Sequence, residues 1–298
     1  MSQPILIFAN PTSGRGRGVL ISELLVPALT AADYRPGVVL NDPTHFDDAA
    51  AVTAARALIV IGGDGTLRAV IDRCLAIGGD AELPPVLFIG LGTANLMQRH
   101  LGLKYPKDDP ASRVIELLAH HAIRPVDIGT ANGRVFLLMT SCGYDAGVVH
   151  NLANVRRGPI TKLSYVAPAL RHLRDQAYTD VTVTVDGRVV HSGGPAQVFV
   201  GNVAEYGTGF PVLIEADSAD GVLDVCVLPC ASHAQFAQMV WRLVSGGHRA
   251  APGVVYLRGR DVTIEAATPQ PVQIDGDAAG MTPVRLGLLP RRVDFIVP

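Results

Sequence analysis

Ile59-Val60-Ile61-Gly62-Gly63-Asp64-Gly65-Thr66 is the stretch of this chain best equipped for chemistry. An apolar, β-branched run ends in Gly-Gly-Asp-Gly, and a helix-compatible segment, Leu67 to Ile77, follows. That is the pattern of a strand, a tight turn and a helix start. Glycines leave backbone N–H groups bare, so a phosphate can lie against them. The helix N-terminus adds unsatisfied donors and a partial positive charge. A carboxylate inside such an anion site makes sense where a divalent cation lies between it and the phosphates. The local reading is a metal–nucleoside triphosphate site. The alternative is an ordinary strand-to-helix turn with Asp64 as the helix cap.

Other stretches have related potential. Asn10-Pro11-Thr12-Ser13-Gly14-Arg15-Gly16-Arg17-Gly18 follows the apolar run Pro4 to Ala9. Its small residues, hydroxyls and arginines suit a phosphate, although the GK[ST] ending of a Walker A loop is missing; a solvated loop is the alternative. Leu91-Gly92-Thr93-Ala94-Asn95 follows another apolar run, Pro85 to Gly90. In the second half, Asp217 and Asp220, with a backbone carbonyl near Val222, could hold a hard cation through oxygen ligands. A β-turn capped by aspartates is the alternative. Asp275-Gly276-Asp277 lies at a strand end, where one carboxylate could accept a proton from an alcohol nucleophile, or the three residues form a plain turn. Arg156, Arg157 and Lys162 could reach triphosphate oxygens, or form a solvated helix end. The nine histidines form no metal set and read as structural, and Met239 and Trp241 read as core.

The elements that must position these residues change character along the chain. In the first part, strand-like runs alternate with helical segments: Val19 to Val26, Asp47 to Arg56, Leu67 to Ile77, the segment to about Leu101, and a helix from Pro110 to about His121. Alternation of this kind predicts a parallel, doubly wound sheet, with ligands at the carboxyl ends of its strands. After Ile123-Arg124-Pro125 the strands become short and closely spaced. Val126 to Ile128 and Val135 to Thr140 flank Asn132-Gly133, a hairpin signal. Further strands are expected at 181–185, 188–191, 196–202, 221–228, 254–258, 262–266, 272–275 and 293–297, with helices at Leu163 to Arg174 and Ala234 to Val244. This half predicts a β-sandwich or barrel-like domain. The expected division is 1–124 and 125–298.

Composition sets outer limits. At 298 residues, 48% hydrophobic and 17% charged, the chain has ample material for a core. A net charge of −2 gives no reason to expect a nucleic-acid partner. The longest apolar runs are too short to cross a bilayer, and the N-terminus lacks the pattern of a signal peptide. Cys74, Cys142, Cys226 and Cys230 are scattered and read as buried free thiols of a reducing cytosol.

Taken together, Asn10-Pro11-x-Ser13-Gly14, Gly62-Gly63-Asp64-Gly65-Thr66, Gly92-Thr93-x-Asn95, Asp220-Gly221-x-Leu223-Asp224 and Asp275-Gly276-Asp277 resemble the diacylglycerol kinase catalytic-domain superfamily, which includes bacterial lipid kinases and the sphingosine and ceramide kinases. The resemblance covers nearly the whole chain. Gly158 to Tyr165 is also similar to the family's segment before a helix of its second domain. The resemblance implies an α/β domain, an antiparallel β-sandwich domain and an active site in the cleft between them. It implies ATP and Mg²⁺ as cofactors, with nucleotide contacts from Asn10, Pro11, Thr12, Ser13, Gly14, Gly62 to Thr66, Gly92, Thr93 and Asn95. Asp217, Asp220 and the Val222 carbonyl would form a structural Mg²⁺ site. Asp275 or Asp277 would be the base, with Asp64 as another candidate.

The chain departs from the family pattern at Arg68-Ala69, where Asn-Glu is usual, at Leu96, where an acid is usual, and at Asp277, which replaces glutamate. The expected activity is phosphoryl transfer from ATP to a lipid hydroxyl, diacylglycerol first, then a sphingoid base or ceramide. A non-catalytic nucleotide- or lipid-binding regulator and a kinase for a soluble acceptor such as NAD are the alternatives. The expected setting is cytoplasmic, peripheral to the inner face of the membrane, with a homodimer as an option.

Overall fold

A computed structural model describes residues 2–120, 122–155, 178–207 and 210–298. The chain forms two compact units, 1–126 with 292–298, and 127–291. The end of the last strand, 292–298, belongs to the first unit.

The first unit follows the alternating pattern. Strands β1 (Gln3–Ala9), β2 (Tyr34–Val39), β3 (Ala57–Gly62) and β4 (Val86–Gly90) lie in the order β2-β1-β3-β4, all parallel. β3 is buried along its whole length, as a central parallel strand covered on both faces must be. The intervening helices are α1 (Arg17–Ala31), α2 (Ala49–Ala54), α3 (Asp64–Gly78), α4 (Leu96–His100) and α5 (Pro110–His120). α2 is shorter than the alanine-rich segment suggested, because the Asp48 carboxylate caps it by accepting from the Ala51 N–H at 2.8 Å. α5 turns Val114, Leu117 and Leu118 inward at helical spacing. A long final strand, Val284–Val297, extends the expected 293–297 segment, and its end pairs Phe295 with Val86 of β4 in parallel.

The second unit contains two antiparallel layers. One is the series β14-β13-β10-β7-β16-β17, from Val255–Gly259, Leu223–Pro229, Ala196–Gly201, Met139–Cys142, Pro271–Ile274 and Asp277–Met281. The other contains β18 (Val284–Val297), β15 (Val262–Ala266), β8 (Val181–Val185) and β9 (Arg188–His191), with β5 (Ala122–Ala131) joined to β18 and β6 (Arg134–Phe136) joined to β5. β11 (Glu205–Tyr206) and β12 (Phe210–Pro211) form a small separate ribbon. β8 alternates buried valine with half-exposed threonine, the mark of a strand with one face on a core. Val183, Val198, Val225, Ile264, Ile274 and Leu286, drawn from both layers, are among the residues of one apolar cluster. The antiparallel sandwich is the alternative that holds, rather than a barrel.

Two expectations are corrected. Val135 to Thr140 is not one strand but β6 and β7, interrupted at Leu137 and Leu138. Trp241, on helix α7 (His233–Val244), is 71% exposed and not core, whereas Met239 is buried as expected. Two residues along a helix is a rotation of about 200°, so Met239 and Trp241 face opposite sides. The buried row is Met239 and Leu243, four apart. Helix α6 (Tyr144–Val155) was not foreseen. The helix expected at Leu163 to Arg174, like Gly158 to Tyr165, lies outside the described residues. All four cysteines are buried free thiols, and burial pushes Cys74, Cys142 and Cys226 up to about 12.

Candidate active site

Within the first unit, the loops after β1, β3 and β4 leave the same edge of the parallel sheet and touch one another. Asn10 connects the first two: its Nδ2 donates to Thr66 Oγ1 at 3.0 Å, while its Oδ1 accepts from the Thr12 N–H and hydroxyl at 2.9 and 2.8 Å. This gives the Asn-Pro motif a physical role as a clasp. Gly14, Arg15 and Gly16 all have positive φ and form a tight turn before α1. A glycine-rich loop meets that demand at low cost.

The second and third loops meet at Gly63 and Gly92. A Cβ added to Gly92 would lie 2.9 Å from the Gly63 Cα, so the approach excludes a side chain there. Asn95, in left-handed geometry, donates from Nδ2 to the Gly92 carbonyl at 3.1 Å. The first turn of α3, from Asp64 to Thr66, points its N–H groups away from the body of the helix.

Asp64 does not cap its own helix. Its Oδ2 accepts from the Leu96 N–H at 3.0 Å and its Oδ1 from the Met97 N–H at 3.1 Å, so it caps α4. Burial pushes this carboxyl upward, against the lowering effect of the backbone N–H groups of Met97, Leu96, Asp64 and Asn95. It is the sole carboxylate within the three loops. A carboxylate at this place suits an ion of hard, oxygen-seeking character.

Within the second unit, Asp275 and Gly276 form a two-residue turn and Asp277 follows it. Asp275 Oδ2 accepts from the Leu137 N–H at 2.9 Å, and Oδ1 accepts from those of Leu138 and Met139, both at 3.0 Å. This carboxylate satisfies the donors left where β6 and β7 break, which explains the interruption. Asp275 and Gly276 have φ of 49° and 86°, as the turn requires. Asp277 opens β17 opposite Ile274.

The expected cation turn is also described. Asp217 Oδ1 accepts from the Ala219 N–H and Asp220 Oδ1 from the Val222 N–H, at 3.0 and 3.1 Å. Beside them, Arg258 donates to the Glu215 carbonyl at 2.8 Å, with Nη1 3.6 Å from Asp220 Oδ2 and Nε 3.5 Å from Asp224 Oδ1. The Tyr256 hydroxyl donates to Asp224 at 2.8 Å. Sequence reading missed this arginine, because its pairing arises from β13–β14 register, which sets Asp224 opposite Arg258. Among the described residues no three His, Cys, Asp or Glu side chains gather as a metal set. Arg156, Arg157 and Lys162 lie outside the described residues.

Comparison with known proteins agrees with this geometry. Residues 4–131 match the diacylglycerol kinase catalytic domain, and residues 139–297 match the YegS C-terminal NAD kinase beta sandwich-like domain. The chain belongs to the diacylglycerol kinase catalytic-domain superfamily, with a YegS-type C-terminal sandwich domain. Its enzyme class is that of a lipid kinase. It is 24% identical over 297 residues to a diacylglycerol kinase of Bacillus subtilis (strain 168), covering 98% of this chain and 95% of that protein. A diacylglycerol kinase structure from Bacillus anthracis str. Sterne superposes with a TM-score of 0.69 at 22% identity, covering 100% of this chain and 97% of that one. An NAD kinase from Archaeoglobus fulgidus, solved in complex with ATP, shares the fold at a TM-score of 0.54 and 12% identity, over 98% and 92% of the two chains.

Proposed function

We infer that this lipid kinase transfers the γ-phosphate of ATP, with Mg²⁺, to the primary hydroxyl of a diacylglycerol-type lipid. The observation that carries the reading is the convergence of the Asn10, Gly63 and Gly92 loops on one edge of the parallel sheet. In such transfers, positioning and charge neutralisation supply most of the rate. Asn10 to Gly14, Gly62 to Thr66, Gly92, Thr93 and Asn95 bind the nucleotide, with first-turn N–H groups of α3 against phosphate oxygens. Asp64 is the carboxylate suited to a phosphate-bound Mg²⁺, which would neutralise charge on the transferring group. Arg157 and Lys162 are assigned to the triphosphate by their basic character. Asp277 is the better candidate for the base, because Asp275 is engaged by three backbone N–H groups.

The Asp217–Val222 turn offers oxygen ligands of the right type for a second Mg²⁺. Arg258 stands 3.6 Å from Asp220, so a guanidinium already meets part of the charge that such an ion would neutralise.

No helix among the described residues is long and apolar enough to cross a membrane. The acceptor lipid is nonetheless in a bilayer, so the enzyme must approach one. α7 supports this step. Val240, Trp241 and Val244 are exposed on it, the helix has no acidic residue, and Arg242 adds positive charge suited to anionic lipid.

The test is transfer of labelled γ-phosphate into a panel of diacylglycerol, monoacylglycerol, sphingosine and ceramide in mixed micelles, with NAD as the soluble control. Label in one lipid establishes the reaction and names its acceptor. Label on NAD alone, or on nothing while ATP still binds, overturns the lipid-kinase reading.

A further inference from the structure

The second unit contains a carboxylate that no step above uses. Asp145 lies in the first turn of α6, and burial pushes its carboxyl upward, opposed by hydrogen bonds from Ser141 and Tyr206. Its Oδ2 accepts from the Ser141 hydroxyl. Ser141 Oγ in turn accepts from Gln273 Nε2 at 2.7 Å, and Gln273 Oε1 accepts from the Gly276 N–H at 2.8 Å. Ser141 and Gln273 are directly opposed in the β7–β16 register, and both are 0% exposed. The series therefore runs without a break from Asp145 through the sheet to the residue between Asp275 and Asp277.

The direction of this series is set at one end. The Ser141 hydroxyl donates to Asp145, so its hydrogen points away from Gln273. That leaves the Ser141 lone pairs for the Gln273 NH₂ group and turns the Gln273 carbonyl toward Gly276. Remove the carboxylate, and the Ser141 hydroxyl is free to rotate and donate to a reversed Gln273 amide. The Gly276 N–H would then face an NH₂ group, and the turn would lose its anchor on that side. The three N–H bonds of Asp275 would still hold the other side.

We propose that Asp145 is a positioning residue for phosphoryl transfer: through Ser141 and Gln273 it fixes the Gly276 amide and the aim of the Asp277 carboxylate. This rests on Asp277 serving as the base. Displacement of a reacting group by about 1 Å is enough to lower turnover on the order of 10²-fold.

The experiment compares wild type, Asp145→Ala, Asp145→Asn and Ser141→Ala in two measurements. Steady-state kinetics with the accepted lipid should show kcat lowered roughly 10- to 100-fold in D145A and S141A, with KM for ATP unchanged. D145N retains a carbonyl acceptor for Ser141 and should recover most of the loss. Hydrogen exchange should show peptides over residues 272–281 opening in D145A and S141A but not in D145N, while peptides over β3 keep their protection. S141A changes a single hydroxyl and keeps the test available where D145A does not fold. Equal protection of the turn in all variants overturns the proposal, as does full turnover in D145A. Loss of kcat and ATP affinity together in D145N and D145A alike also overturns it, by indicating general damage. A wild type that labels no lipid refutes the assigned reaction, while the exchange data still decide whether the series holds the turn.

Discussion

Asp64 and Asp275 lie in glycine motifs of different units, and the structure engages both as clamps on backbone N–H groups. The degree of engagement differs. Asp64 accepts two N–H groups, one on each oxygen, at the start of a neighbouring helix. Asp275 accepts three, across a break between two strands. A carboxylate has about four lone-pair directions. Asp64 thus caps a neighbouring helix, whereas Asp275 bridges a break between strands; under the proposed function the first would also face an ion and the second would leave the proton to Asp277.

The comparison breaks most readily at Asp277. Replacing Asp277 with Asn should lower turnover roughly 10²- to 10⁴-fold while the melting temperature holds, the usual range for loss of a general base. Asp275→Asn should act first on thermal stability, because an amide cannot accept all three N–H groups. If instead D275N removes turnover at an unchanged melting temperature and D277N does not, the two roles are exchanged.

Asp64→Ala should weaken both ATP binding and the fold, since hydrogen bonds to a charged group contribute about 1.5–3 kcal/mol each. Isothermal titration with MgATP and chemical denaturation read the two parts separately; loss of one without the other would deny the double role. The folded-state carboxyl of Asp64 is raised above its ordinary 3.8. A raised acid contributes stability that is present below its unfolded value and is lost as pH rises through its folded value. Denaturation of wild type against Asp64→Asn should therefore show wild type losing ground as pH rises from below 3.8 through the folded value, and a constant difference would contradict this.

Two smaller effects sharpen the same contrast between side-chain and ionic clamps. Arg258→Met should make the melting temperature rise with added Mg²⁺ by a few degrees more than in wild type, because the acid turn would have lost its internal cation. Identical Mg²⁺ responses would mean that Arg258 does not offset that charge. Trp241→Ala should reduce co-sedimentation with anionic vesicles several-fold without changing the melting temperature. Unchanged sedimentation would remove α7 from the lipid-facing surface.

Much of the first unit was legible in the sequence because parallel strands declare themselves as unbroken apolar runs, and β3 is buried from end to end. The three loops were legible for a related reason: glycine and asparagine stand where the backbone takes unusual geometry, as at Gly14, Gly16 and Asn95. What escaped was set by register and by rotation. Arg258 meets Asp224 only through strand pairing, and Ser141 meets Gln273 likewise, although each pair is far apart in sequence. Trp241 was misjudged because apolar character alone does not give the face of a helix. The break between β6 and β7 is caused by a carboxylate more than 130 residues downstream, so no local propensity could announce it.

The return of the last strand has a consequence for synthesis. Domains generally fold as units, N-terminal first, while the chain is still emerging. Here the unit begun at residue 1 includes residues 292–298, whose Phe295 pairs with Val86 on β4. The first unit is thus begun before the second and completed after it. On that side β4 gains its strand partner only once Phe295, beyond the whole of the second unit, has been read.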